Sequence, residues 1–320
     1  MSSPYQRFAY HTFGCKVNFA DSCTIARKLI DKGLTQVSID NDAEIYIINT
    51  CSVTENADKK AESFIRKLNQ RSPKSEIIVT GCYAQLNPRK IKEIPGVSKV
   101  INTNNKFNIN AYLDQSLENL EPINSVHNFS LSYSINERTR AFVKVQDGCD
   151  YVCSYCTIPR ARGKSRSGSI KSIISSINNI VSTGTKEIIL SGINVGDFGK
   201  NNNENLFDLL SELENLDNLN RYRISSIEPN LLNDSIIQLI SRSKKAVPHF
   251  HIPLQSGSDK ILKNMKRRYS VSDYNVLIKK LNKYIKGVCI GVDVIVGYPN
   301  ESEDDFIETY NFLNKIDISY

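Results

Sequence analysis

The stretch DGCDYVCSYCTIPRARGKSRS, residues 147–167, puts Cys149, Cys153 and Cys156 within eight residues and follows them with Arg160, Arg162, Lys164 and Arg166. Spaced C-x3-C-x2-C, three thiols cannot share one face of a regular helix or strand, so the spacing asks for a loop wrapped around a compact centre. Structural zinc takes four ligands, and no fourth Cys or His lies within twenty residues on either side. Three thiolates suit a cubane iron–sulfur cluster whose fourth iron is left open to a small-molecule chelator.

Around that loop the chain reads as strand alternating with helix. AFVKVQDG (from Ala141), KEIILSG, RYRISSI, AVPHFHIPL and GVCIGVDVIVG read as strands, with helices such as SIKSIISSINNIVSTG and ENLFDLLSELENL between them. At least five βα units predict a parallel barrel or part of one. Chemistry in such barrels gathers where strands end, and the cysteine loop follows the first strand. Residues 1–120 alternate in the same way, through RFAYHTF, AEIYIIN, SEIIVT and VSKVIN. One helix is expected over NFADSCTIARKLIDKG, with Asp21 and Ser22 as cap candidates and Gly33 as its stop; a second ends at Pro73. The fold class is therefore α/β, an amino-terminal parallel α/β domain followed by a partial (βα) barrel. A weakly periodic linker is expected over 121–138 and the barrel domain over 139–320. The sequence stops at NKIDISY, where a sixth strand begins, and is read as cut short.

Composition sets outer limits. The 320 residues carry eight cysteines and a net charge of +7. The charge permits a polyanionic partner without requiring one. No run of about 18 apolar residues is present, so no membrane is expected, and the start lacks the apolar region of a secretory signal. The expected location is cytoplasmic, where clustered cysteines point to metal or redox chemistry rather than disulfides. Cys23 and Cys289 lie inside apolar patterns and read as packing residues.

The other three cysteines repeat a placement. Cys15, Cys51 and Cys82 each follow a predicted strand, in YHTFGC, YIINTC and IIVTGC. Carboxyl ends of parallel strands share one edge, where ligands gather. A Gly or Thr before each cysteine lets the backbone turn away sharply. A second three-thiolate cluster is expected there.

CDYVCSYC, with Tyr155 before its last cysteine, resembles the radical S-adenosylmethionine (SAM) superfamily. The resemblance implies SAM chelating the open iron and cleaved to a 5′-deoxyadenosyl radical, with Tyr155 near the adenine. Two triads in this order resemble the radical SAM methylthiotransferases over the whole chain. TFGCKVNFADS, NTCSVTENADKKAES and VTGCYAQLNP resemble the MtaB-like branch, which acts on threonylcarbamoyladenosine in tRNA. The isopentenyladenosine branch has glutamine and methionine where this chain has Lys16 and Val17, and the ribosomal-protein branch also differs there.

The resemblance implies an enzyme with two [4Fe-4S] clusters and SAM that inserts a methylthio group at carbon 2 of an N6-modified adenosine beside the anticodon. It implies tRNA and an electron donor such as flavodoxin or ferredoxin as partners. No side-chain acid or base is assigned, since the cofactors supply the chemistry. Gly192 and Asn194 after the second barrel strand, Ser226 and Glu228 with Ser225 after the third, Gln255 with Ser256 after the fourth and Gly297 after the fifth are candidates for SAM. Arg160, Arg162, Lys164, Arg166, Lys266, Arg267 and Arg268 are candidates for anticodon-stem phosphates, with Arg162 or Arg166 alternatively facing the cofactor carboxylate. His249 and His251 read as packed or hydrogen-bonded strand residues. The family's carboxyl-terminal RNA-binding β-barrel is expected to be absent. The other readings are a methylthiotransferase acting on isopentenyladenosine tRNA or on a ribosomal protein, and a metal-containing RNA-binding module without catalysis.

Overall fold

The computed structural model describes residues 5–114, 123, 126, 128–135 and 139–320. The expected linker thus lies largely outside the described residues. Two compact units are present. The first comprises residues 1–135 together with Gly148–Asp150 and Thr157–Lys164; the second holds the remainder.

The first unit is built on a five-stranded, wholly parallel sheet, ordered β2-β1-β3-β4-β5. Its strands are β1 (Arg7–Thr12), β2 (Thr35–Gln36), β3 (Ile45–Thr50), β4 (Glu76–Gly81) and β5 (Val97–Val100). Helices α1 (Lys16–Asp31), α2 (Glu55–Arg71), α3 (Cys82–Leu86), α4 (Pro88–Lys92) and α5 (Ile109–Asp114) complete the described alternation, and a short strand β6 (Ser132–Tyr133) lies further on. Every residue of β3 is buried, as a central strand covered on both faces requires. Ile48 packs on one side with Ile65, Leu68 and Tyr83. Ile47 packs on the other with Ile25, Leu29 and Tyr112. Burying each such side chain contributes about 1.5–3 kcal/mol.

Register fixes where the cysteines fall. Thr12 pairs with Asn49, and Thr50 pairs with Gly81. Cys51 and Cys82 each stand one residue beyond that last pair, and Cys15 stands three beyond β1. The expected placement at one sheet edge is thus set by strand pairing. The cap expected at Asp21 or Ser22 is corrected: α1 starts at Lys16 with Cys15 as N-cap, and both residues are buried inside the helix. They read as caps because they are short and polar, but their polar atoms are spent on buried partners instead.

The second unit runs β7 (Ala141–Lys144), β8 (Gln146–Asp147), β9 (Arg166–Ser167), α7 (Ile170–Ser182), β10 (Glu187–Ser191), α8 (Leu206–Glu214), β11 (Arg221–Ile224), α9 (Asp234–Arg242), β12 (His249–His251), α10 (Asp259–Asn264), α11 (Val271–Tyr284), β13 (Cys289–Gly291) and α12 (Glu303–Lys315). The short helix α6 (Ile158–Arg162), ending four residues before β9, belongs to the first unit. Strands β7, β10 and β11 are parallel neighbours. A bridge from Ser226 to His251 carries the series to β12, which pairs in parallel with β13. Beside β13, Ser319 N–H donates to Ile290 O at 2.8 Å and Val292 N–H to Tyr320 O at 3.0 Å. The segment expected to open a sixth strand therefore pairs there. Strand β12 is shorter than its apolar run because Pro248 and Pro253 have no N–H to give a ladder. Ser169, Asn205, Asn233, Ser270 and Ser302 cap α7, α8, α9, α11 and α12 by accepting a backbone N–H three residues on.

Gly81 turns β4 into α3 with φ at +98°, and a Cβ there would stand 2.2 Å from Thr50 O. Gly81→Ala is expected to lower the unfolding free energy by at least about 2 kcal/mol, read as a fall in the urea midpoint at unchanged slope.

Candidate functional site

In the first unit the sheet edge brings together Cys15, exposed, and Cys51 and Cys82, both buried. Burial pushes the Cys51 thiol up to about 11; N–H groups of Val53 and Ser52 oppose this, while nearby Cys82 and Cys15 reinforce it. Burial also raises Cys82, against the pull of the Arg162 guanidinium. The thiols are thus close enough to feel one another's charge. Gly14 makes room for them, since a Cβ there would lie 2.6 Å from Cys51 Sγ. Cys15 caps the amino end of α1 without a side-chain cap bond.

Polar side chains behind the thiols are locked. Arg162, 1% exposed, donates from Nε to Cys82 Sγ at 3.4 Å and from Nη2 to Asn18 Oδ1. Asn18 Nδ2 donates to Phe13 O at 2.9 Å and Thr50 O at 3.0 Å, tying together the ends of β1 and β3. Asp21 accepts from Lys106 Nζ at 2.5 Å and Ser132 Oγ at 2.6 Å, and lies 3.4 Å from Arg162 Nη2. Thr157 Oγ1 donates to Ser52 O and Thr103 Oγ1 to Ala161 O, which seats the 157–164 segment against these strand ends.

In the second unit, β8 and β9 pair antiparallel, Asp147 opposite Arg166. They close the base of the excursion that carries the C-x3-C-x2-C residues. Cys153 is buried and Cys156 half-buried. Arg267 Nη1 donates to Cys153 Sγ at 3.1 Å and to Tyr155 OH at 3.3 Å, while Nη2 pairs with Glu228. Burial raises the Tyr155 phenol. Burial likewise raises the Glu228 carboxyl, against the pull of Arg267.

Among the described residues, no three Cys, His, Asp or Glu side chains form a group able to hold a metal ion. A cluster binds each thiolate to a different iron, so its ligands ring a volume rather than converge on one point. The soft thiolate sets, the space kept by Gly14 and the N–H donors aimed at sulfur fit iron–sulfur clusters. SAM has its own fitting groups at the strand ends of the second unit. Asn194 Oδ1 and Ser225 Oγ are buried without a hydrogen-bond partner among the described residues. Gln255 holds a left-handed φ of 68°, a strain that a side chain keeps only where surroundings enforce it.

Residues 7–102 match Uncharacterized protein family UPF0004, and residues 143–313 match the Radical SAM superfamily. The threonylcarbamoyladenosine tRNA methylthiotransferase MtaB of Bacillus subtilis is 40% identical over 96% of this chain and 70% of its own length. Its Aquifex aeolicus counterpart is 36% identical over 98% of this chain and 78% of its own length. The chain belongs to the radical SAM methylthiotransferase family. It is therefore an enzyme that transfers sulfur-containing groups, and its superfamily works with SAM and a [4Fe-4S] cluster. A Clostridium novyi relative, a tRNA-2-methylthio-N(6)-dimethylallyladenosine synthase, is 34% identical over 98% of this chain and 72% of its own length. Two solved radical SAM enzymes share the fold. One is the Kitasatospora setae methyltransferase TsrM (TM-score 0.71, 11% identity, 98% of this chain and 72% of that one). The other is the cobalamin-dependent OxsB (TM-score 0.65, 12% identity, 98% and 52%).

Several side-chain expectations for this methylthiotransferase need correction. Arg162 does not reach phosphates, being buried on Cys82 and Asn18. Arg166 is buried and lies 3.3 Å from Asp147. Arg267 has a side chain 3% exposed and serves Cys153, Tyr155 and Glu228. Basic residues in a run read as one patch, but burial sorted them: Arg160, Lys164, Lys266 and Arg268 stay exposed. Gly192 makes room for the Gln146 side chain, with Gln146 Oε1 2.9 Å from where a Cβ would be. Ser226 Oγ is spent on His251 Nδ1 at 2.7 Å. Gly297 holds a φ of +78° with open space around it. Cys23 is buried as expected, whereas Cys289 is half-buried. Asn18 and Lys106 were missed, since a polar residue in a helix and a lysine in a polar loop carry no sequence signal of burial.

Arg267→Met would leave Glu228 buried without its partner and is expected to cost about 3–5 kcal/mol, with Arg267→Met/Glu228→Gln restoring most of it. The sign with pH follows from the raised Glu228 carboxyl. Its burden is absent below the usual carboxylate range, grows as pH rises above that range and is complete above the raised folded-state value. The deficit of Arg267→Met, measured by urea unfolding, should therefore shrink on acidification.

Proposed function

We propose that this methylthiotransferase acts on tRNA, adding a methylthio group at carbon 2 of N6-threonylcarbamoyladenosine at position 37. In this reading Cys149, Cys153 and Cys156 hold one [4Fe-4S] cluster and Cys15, Cys51 and Cys82 a second. The observation that carries it is the pair of three-thiol sets, with Cys15, Cys51 and Cys82 gathered from three strand ends more than thirty residues apart in sequence. The choice of nucleoside is supported by relatives. Those named for threonylcarbamoyladenosine are 36–40% identical, and those named for dimethylallyladenosine 33–34%. Lys16 and Val17 point the same way.

The carbon 2 hydrogen is unactivated toward polar chemistry, so no side-chain base suffices. The clusters and SAM, when bound, supply a carbon-centred radical and a site for sulfur. The chain's residues bind and orient. Arg267 holds Cys153 and Tyr155 in place through fixed N–H donors, and Tyr155 offers its ring to adenine. Asn194 and Ser225 offer buried acceptors or donors to the SAM polar groups, with Gln255 beside them. Exposed Arg160, Lys164, Lys266 and Arg268 take anticodon-stem phosphates. A small electron-transfer protein of the flavodoxin or ferredoxin kind delivers electrons. The described helices include none long and apolar enough to cross a membrane.

Nucleoside mass spectrometry of tRNA tests the substrate. Deleting the gene should remove 2-methylthio-threonylcarbamoyladenosine and leave its precursor, and re-expression should restore it. Loss of the methylthio-isopentenyladenosine instead would move the enzyme to the other branch. Anaerobic reconstitution tests the ligands: about eight irons per chain should fall to about four in Cys15→Ala/Cys51→Ala/Cys82→Ala.

A further inference from the structure

Arg162 is aimed at the Cys82 sulfur and Arg267 at the Cys153 sulfur, and the one at Cys82 is built differently from a surface donor. Arg162 is among the largest fully buried side chains in the described residues. Its Nε–H points at Cys82 Sγ, and its Nη2 is held by Asn18 Oδ1, whose own Nδ2 is fixed by two backbone carbonyls. Lys106, 2% exposed, shares Asp21 with it. Burying two cations around one carboxylate is costly. Nothing in sheet packing requires it, for an apolar side chain of similar volume would fill the space. Positive charge and an N–H donor at a ligand sulfur have a defined effect on an iron–sulfur cluster. They stabilise the reduced, more negative state and so raise its reduction potential.

Resting on the ligand reading above, we infer that Arg162, with Lys106 and Asp21, is a positioning device for the Cys15/Cys51/Cys82 cluster that orients the Cys82 sulfur and sets that cluster's potential. Two features follow from the geometry. Arg162 acts through direction as well as charge, because Asn18 fixes the guanidinium plane. Asp21 acts with the opposite sign, because it holds both cations while adding negative charge. The device is also covalently tied to the other thiol set, since Arg162 follows Cys156 by six residues.

Potentiometric titration followed by electron paramagnetic resonance tests this in full-length protein carrying Cys149→Ala/Cys153→Ala/Cys156→Ala, so that only the amino-terminal cluster reports. Iron content is read first. About four irons per chain retain the ligand reading; none would overturn that reading and this inference with it. Given four irons, Arg162→Gln should shift the potential down, Arg162→Lys should shift it less, and Asp21→Asn should shift it up. Opposite shifts from the first and last support a charge effect. Unchanged potentials, or shifts of the same sign as general loosening would give, overturn it. Should Arg162→Gln fail to fold, the near-isosteric Asp21→Asn decides alone: an upward shift supports the inference, and no shift or a downward one overturns it.

Discussion

Parallel pairing of β1, β3 and β4 is the constraint from which the amino-terminal site descends. Thr50 opposite Gly81 and Thr12 opposite Asn49 bring three strands to one edge, and the chain turns there at cysteine each time. A slip of one residue would exchange the faces of β3, sending Ile47 and Ile48 to the wrong sides of the sheet. The same core packing that stabilises the unit therefore also fixes the spacing of the thiols. Gly81 and Gly14 serve this arrangement by conformation and by room respectively.

The second unit repeats the logic with different means. Cys149, Cys153 and Cys156 are neighbours in sequence, so no strand register is needed to assemble them. Instead the β8–β9 pair closes the base of the cysteine-bearing excursion, and Arg267 holds Cys153 from another loop. The unit's parallel strands direct Asn194, Ser225, Glu228 and Gln255 to the same end of the series, where barrel enzymes carry their chemistry. Both sets thus share a buried arginine that donates to sulfur, reached by unrelated routes.

Much of this was legible in the sequence. Strand–helix alternation, βα order and the placement of Cys15, Cys51 and Cys82 at strand ends follow from periodicity and spacing, because backbone pairing is local and strongly patterned. The partners of charged side chains were not legible. RARGKSR reads as one basic patch, yet Arg162 and Arg166 are buried while Arg160 and Lys164 are exposed. That sorting depends on residues far away, such as Asn18 and Asp21, which no local pattern links to position 162. Asp21 looked like a cap for the same reason: its partners Lys106 and Ser132 lie about 85 and 111 positions on.

Iron-edge anomalous diffraction from crystals of the anaerobically reconstituted protein tests the central claim most directly. The account predicts two separate iron clusters, one bonded to Cys149, Cys153 and Cys156 and one to Cys15, Cys51 and Cys82, the latter with Arg162 Nε directed at Cys82 Sγ. A single cluster, with the three amino-terminal thiols free of iron, would contradict it.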